Sequence, residues 1–307
     1  MISQRLAANV GALVAAALFC SSVVAVRVAV QEVPPLSLAV LRFGQGGLLL
    51  MLLLLLAGAW DLLRVNWRDL PLLILLGVVL FAVFPVTFNA SLRLIEASRG
   101  ALVLATIPLW SALLARIARS ERLAPRQVVG ILLTLGGVGL ALSERGLGWQ
   151  VGMGTLAGDG LMLATALCGA AYGVLAQRAF ARYATLTVTT YAMVLGTLLL
   201  LPAALVEGLV GVLPQLARQT VALLVFLGVF GGALGFFLWT YALTRLTPTQ
   251  VAVYINLNPL VAMVLAAALL AEHLTIMFVA GFGAVLMGVV LVNWPKRAQA
   301  ASANGSR

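Results

Sequence analysis

Long apolar runs alternate with short polar joints along the whole chain. Ten runs stand out, at residues 8–29, 37–59, 70–92, 98–115, 126–143, 154–177, 186–206, 220–243, 249–270 and 276–293. A helix needs about 20 mostly apolar residues to cross a bilayer, and these runs have that length. Pro71, Pro125 and Pro248 open three of them, where a missing N–H costs little. The joints are too short to hold a soluble domain.

Composition makes lipid the solvent. The chain is 63% hydrophobic and 9% charged, with mean hydropathy +1.12, whereas soluble domains run at roughly 45–50% apolar and 25% charged. The pattern predicts an all-α integral membrane protein. The first run exceeds the 7–15 apolar residues of a signal peptide, so it is expected to stay as a helix. Phe19 before Cys20 also spoils a lipobox. Cys20 and Cys168 both lie in apolar runs and read as small buried hydrophobes. No disulfide, metal or cofactor is expected.

A net charge of +10 suggests nucleic acid in a soluble protein. Here the distribution of charge gives a different answer. With the N-terminus in the cytoplasm, the inner segments hold 13 basic residues, among them Arg64, Arg119 and Arg182. The outer segments hold 5, namely Arg27, Arg93, Arg99, Arg145 and Arg218. The bias fits the positive-inside rule. It predicts a multi-pass protein of the inner (cytoplasmic) membrane, both termini cytoplasmic, with no nucleic-acid partner.

The chain also repeats itself. Displaced by 151 residues, Pro108 falls on Pro259, Glu121 on Glu272, Gly130 on Gly281 and Gly137 on Gly288. Residues 91–142 share 14 identities with 242–293 over 52 positions. Shared Pro, Glu and Gly carry the weight in a chain so rich in Leu, Ala and Val. The repeats would be residues 1–147 and 148–295, followed by a cytoplasmic tail at 296–307. Each holds five helices, an odd number, so the second copy would enter the membrane upside down. The arginine-rich loop near Glu121 and its arginine-free copy near Glu272 fit opposite sides. Inverted repeats are characteristic of secondary transporters.

The twice-present run P-x(12)-E-R/H-L-x(6)-G-x(6)-G resembles the EamA domain of the drug/metabolite transporter superfamily. "LRF" at 41–43 resembles that domain's second helix. The resemblance implies ten helices around a central cavity and export of amino acids, aromatic compounds or other small metabolites. One departure is Ile107 where the second repeat has Asn258.

Polar residues inside the runs are the candidates for substrate contact. Tyr254 and Asn258 are four apart and share a helix face; Thr106 and Trp110 flank the equivalent face of the fourth helix. Asn89, Trp239 and Tyr241 come from the third and eighth helices, Tyr172 and Tyr191 from the sixth and seventh. For Asn258 a bond between helices is a competing role. Pro108 and Pro259 each free a carbonyl four residues earlier and act either as hinges or as static bends. No acid lies at a helix midpoint. Asp159, about one turn into its helix, is the one candidate for ion coupling, and a structural role suits it better. Arg42 lies one turn inside its helix and either snorkels or pairs. The small residues Ala280, Ala284 and Gly288 suit close helix contact or a homodimer seam.

The sequence thus predicts a transporter of small neutral or zwitterionic molecules in a lipid bilayer. Aromatic cations are an alternative cargo, since Trp and Tyr faces attract cations. A membrane enzyme or a non-transporting sensor is the rival class. No nucleophile–base pair supports the enzyme, and no output domain supports the sensor.

Overall fold

In hydrocarbon every backbone polar group must bond within the chain, and a helix achieves that segment by segment. Our computed structural model describes residues 2–119, 125–143, 152–245, 258–271 and 275–293. Among these the regular elements are all helical. They are α1 (Ile2–Ala29), α2 (Pro35–Leu56), α3 (Trp67–Leu94), α4 in two segments (Ala97–Leu104 and Ile107–Arg119), α5 (Pro125–Ser143), α6 (Met153–Phe180), α7 (Thr185–Glu207), α8 (Arg218–Arg245), α9 (Asn258–Leu270) and α10 (Ile276–Asn293). A short helix, Trp60–Leu63, precedes α3.

Seven of these, α1 to α4 and α6 to α8, are long and apolar enough to cross a membrane. α5 and α10 carry the shorter apolar runs Val128–Ala141 and Ile276–Leu291. α9 is described from Asn258 onward. Pro248, Tyr254 and Asn256 lie outside the described residues, as does the loop holding Glu121. α7 ends where Gly208 takes a left-handed φ of 106°, a conformation that costs glycine little.

Two helices depart from regular α geometry where the apolar pattern gives no warning. α3 is π-helical over Val78–Val83 and α8 over Phe226–Leu234. In α3, Pro85 follows the wide turn. It has no N–H and its ring would crowd the Phe81 carbonyl, so extra width relieves the clash. In α8 the wide turn carries Gly228, Gly231 and Gly232. Such segments are frequent at functional sites.

Helix boundaries repeat along the chain. Ile2 and Met153 open α1 and α6, and Ala29 and Phe180 close them. Trp67 and Arg218 open α3 and α8, and Leu94 and Arg245 close them. Each pair is 151 residues apart, as are the openings Pro125 and Ile276.

Corresponding helices pack against each other, running in opposite directions. In α2 and α7, Ser37 meets Glu207, Gly44 lies beside Thr197, and Gly47 beside Val194 and Met193. In α5 and α10, Gly130 faces Gly288 and Gly137 faces Gly281. A Cβ on Gly281 would stand 2.6 Å from the Gly137 carbonyl oxygen. Glycines there bring the two backbones together, the contact that small residues permit between membrane helices. The face toward α5 runs through Gly281, Ala284 and Gly288; Ala280, expected on this stripe, is exposed. The remaining contacts also come in matched pairs. α1 packs on α8 as α6 packs on α3, and α2 packs on α8 as α7 packs on α3.

Polar contacts gather at the two ends of the bundle. At one end Arg182 and Tyr183 bind Asp69. At the other Arg27 donates to the Leu92 carbonyl, Glu207 accepts from the Leu36 and Ser37 amides, and Arg99 pairs with Asp159.

Candidate functional site

The two π segments bring aromatic rings from five helices into one network. Phe81 lies inside the α3 segment, and Phe236 just follows the α8 segment. Their centroids are 5.5 Å apart. Phe43 of α2 reaches both, at 5.3 Å from Phe81 and 6.3 Å from Phe236. Phe19 of α1 meets Phe236 edge-on at 5.1 Å and Trp239 at 6.4 Å. Tyr172 of α6 meets Phe81 at 6.5 Å. These edge-to-face distances are the favoured ones for ring pairs. The network joins two sequence candidates, Tyr172 and Trp239, through rings the sequence did not single out. Only Trp239 and Phe236 of α8 stand at helical spacing, so little local pattern marks the set.

α4 breaks beside this network. Its first segment ends at Leu104, and Ala105 and Thr106 form a turn before Ile107. Pro108 therefore sits in the first turn of a new segment, where its missing N–H is least costly. Thr106, 3% exposed, donates to the Val103 carbonyl at 2.6 Å and accepts from Trp110 Nε1 at 2.9 Å. The hydroxyl caps the break and fixes the indole. Ile107 packs where α6 has Gly169, one turn before Tyr172.

The other candidates fall elsewhere. Asn89 is 1% exposed, and its Nδ2 donates to the Pro35 carbonyl at 2.9 Å. That carbonyl opens α2, so Asn89 clasps α3 to the start of α2; its Oδ1 has no partner among the described residues. Tyr191 donates to the Leu63 carbonyl at 2.8 Å, at the bundle end that holds Asp69. Tyr241 packs with Ala8, Ala12 and Ala242 one turn before α8 ends. Asn258 and Pro259 are the first described residues of α9, and Tyr254 lies outside the described residues. Asp159 accepts two hydrogen bonds from Arg99, whose side chain is 12% exposed.

Arg42 is the residue whose environment the sequence left open. It is 7% exposed, its guanidinium carbon lies 4.8 Å above the Phe43 ring, and it makes no ion pair or hydrogen bond among the described residues. Its Nη2 lies near Gly231 of α8. The arginine in an apolar run was visible; the lack of a partner required the fold. Among the described residues no three His, Cys, Asp or Glu side chains gather as metal ligands.

The sequence match agrees with this architecture. The model of the EamA-like transporter family matches residues 6–143 and again 156–294. An uncharacterized transporter of Archaeoglobus fulgidus is 28% identical over 87% of this chain and 92% of its own. A probable terminal-alkyne amino-acid exporter of Streptantibioticus cattleyicolor is 30% identical over 77% of each chain. A probable amino-acid metabolite efflux pump of Salmonella typhimurium is 29% identical over 87% of this chain and 88% of its own. A solved crystal structure superposes with TM-score 0.66 at 21% identity, over 93% of this chain and 95% of that one, and so shares the fold. These relatives are named as transporters, not as enzymes. Matched across both of its halves, this multi-pass chain belongs to the EamA-like transporter family.

Proposed function

We propose that the protein exports small neutral or zwitterionic metabolites, amino acids or aromatic compounds, across the inner membrane by alternating access. Two inverted five-helix halves, residues 1–147 and 148–295, would rock about a substrate held between them. The observation that carries this reading is the antiparallel packing of corresponding helices, α2 on α7 and α5 on α10. A helix can oppose its own copy in this way only if the copy is turned over. The recurrence of helix boundaries 151 residues apart and the double family match support the same reading.

The relatives named for amino-acid export and efflux favour that substrate class. The aromatic network on five helices suits an uncharged side chain. The buried Arg42 beside it disfavours aromatic cations, the competing cargo, because like charges repel strongly at low dielectric. Both termini would lie in the cytoplasm. The bundle end holding Asp69 and Arg182 would be the cytoplasmic one, following the positive-inside bias.

The test is flux into proteoliposomes, using labelled amino acids and aromatic cations with and without a pH gradient. Saturable amino-acid flux absent from empty vesicles is the expected result. Cation flux alone would replace the substrate class, and hydrolysis without flux would replace the function.

A further inference from the structure

We infer that Arg42 reads the carboxylate of the transported molecule, with Gln45 beside it. The inference rests on the transport reading above and adds the chemical group that the site recognises.

The direction of the Arg42 side chain comes first. Arg42 is seven residues from the start of α2, about 10 Å along the axis at 1.5 Å per residue. A snorkelling arginine would turn back toward that end. Instead Nη2 lies 3.8 Å from where a Gly231 Cβ would stand. Gly231 is near the centre of the 28-residue span Arg218–Arg245. The guanidinium therefore points toward the middle of the bundle.

Second, no described residue neutralises the charge. A guanidinium carries five donors and no acceptor. Nε is buried without an acceptor, and no carboxylate pairs with the group among the described residues. Five of the described acids are held elsewhere. Asp69 binds Arg182, Asp159 binds Arg99, Asp61 binds Arg64, Glu207 binds the start of α2, and Glu32 accepts from the Ala217 amide. Phe43 offers a cation–π contact, which uses none of the N–H donors of the fork. Inside a membrane such a charge is costly and marks a pathway or a ligand.

Third, the two repeat-related contacts differ here in the side chains they carry. Gly77 of α3 meets Gly196 of α7 backbone to backbone, and a Cβ on Gly77 would stand 2.8 Å from the Gly196 nitrogen. Displaced by 151 residues, that contact becomes Gly228 of α8 against Gln45 of α2, where the Gln45 side chain fills the space. The residue corresponding to Arg42 is Met193, which packs on Gly46 and Gly47. The α3–α7 contact is glycine on glycine, whereas the α2–α8 contact has a glutamine side chain on glycine, with the Arg42 guanidinium beside it. Ser22 meets the same stretch of α8, its Oγ 2.5 Å from the Cβ position of Gly231.

A planar fork of N–H donors matches a carboxylate with two parallel bonds. Gln45 makes no side-chain hydrogen bond among the described residues and sits one turn along the face of α2 that meets α8. Its amide can donate to a carboxylate oxygen. The ligand class is therefore a small molecule with a free carboxylate, and among zwitterions an amino acid.

The experiment compares phenylalanine and leucine with their own amides, which keep the amine and side chain but lose the anion. Each is offered to proteoliposomes containing wild type, Arg42→Gln or Arg42→Lys. We expect the wild type to prefer the acids. Arg42→Gln should raise KM for the acids about tenfold to a hundredfold, the worth of charge-assisted bonds, with little change for the amides. Arg42→Lys should fall between, because lysine keeps the charge without the fork. An Arg42→Gln protein that keeps the acid preference, or loses acid and amide flux alike, overturns the inference. Wild type that moves neither class would instead overturn the transport reading. Should the variants fail to fold, wild type treated with phenylglyoxal decides the matter by peptide-resolved mass spectrometry. Phenylalanine should protect Arg42 and its amide should not. An Arg42 that never reacts, or reacts equally with both, overturns the inference.

Discussion

Arg99 closes on Asp159 through two parallel hydrogen bonds, Nε to Oδ1 at 2.7 Å and Nη2 to Oδ2 at 2.5 Å. The pair clamps α4 to α6 near one end of the bundle, and both side chains are mostly buried. A carboxylate held this way is a structural tie. Asp159→Asn should therefore leave flux independent of a pH gradient while destabilising the protein. Removing one partner of a buried pair costs about 3–5 kcal/mol, and Asp159→Asn with Arg99→Gln should recover part of that. Thermal unfolding in detergent measures both. Uphill transport driven by a pH gradient in wild type, abolished by Asp159→Asn alone, would make Asp159 a coupling group.

Adjacent glycines give a sharper test of packing. A Cβ on Gly137 would stand 2.6 Å from the Gly281 carbonyl oxygen, whereas one on Gly136 or Gly139 meets nothing within 4 Å. Gly137→Ala should lower the melting temperature, with an overpacking cost of about 1–3 kcal/mol. Gly136→Ala should be neutral or stabilising, since alanine favours a helix by about 1 kcal/mol over glycine. Equal effects at both positions would mean that α5 and α10 do not meet along this face.

Much of this architecture is written locally. Apolar length marks the helices, and Pro108, Gly130 and Gly137 recurring as Pro259, Gly281 and Gly288 mark the duplication. What is not local is harder to read. The π segments follow from Pro85 in α3 and from clustered glycines in α8, two different causes with one outcome, so no shared motif announces them. Asn89 and Tyr191 look like midspan ligands because their runs are apolar. Their partners, the Pro35 and Leu63 carbonyls, come from joints far away in sequence. Arg42 stood out as a charge, yet its isolation depends on where five acids on other segments ended up.

The break in α4 makes a kinetic prediction. Thr106 and Pro108 together separate the segments ending at Leu104 and starting at Ile107. Pro108→Ala restores an N–H and removes the ring, so the segments can join into one stiffer helix. We expect slower turnover in proteoliposomes with equilibrium substrate binding little changed. Unaltered flux would make the break a fixed bend.

Trp110 and Asn258 separate a substrate-facing role from a packing role. Trp110 is half-buried, and its indole N–H is already held by Thr106 within the same helix. Among the described residues the indole makes no hydrogen bond to another helix, so its loss breaks no such bond between helices. Asn258 is the first described residue of α9, in the position that corresponds to Ile107. An amide there can meet a zwitterion with both donor and acceptor. Trp110→Ala and Asn258→Ala should therefore weaken substrate binding and leave the melting temperature in detergent unchanged. Thr106→Val should weaken binding as well, by releasing the indole. If Asn258 bonds a neighbouring helix, its removal costs about 0.6 kcal/mol on average for such bonds and lowers the melting temperature first. Loss of stability with affinity intact would assign Asn258 to packing, while loss of affinity alone would place it against the substrate.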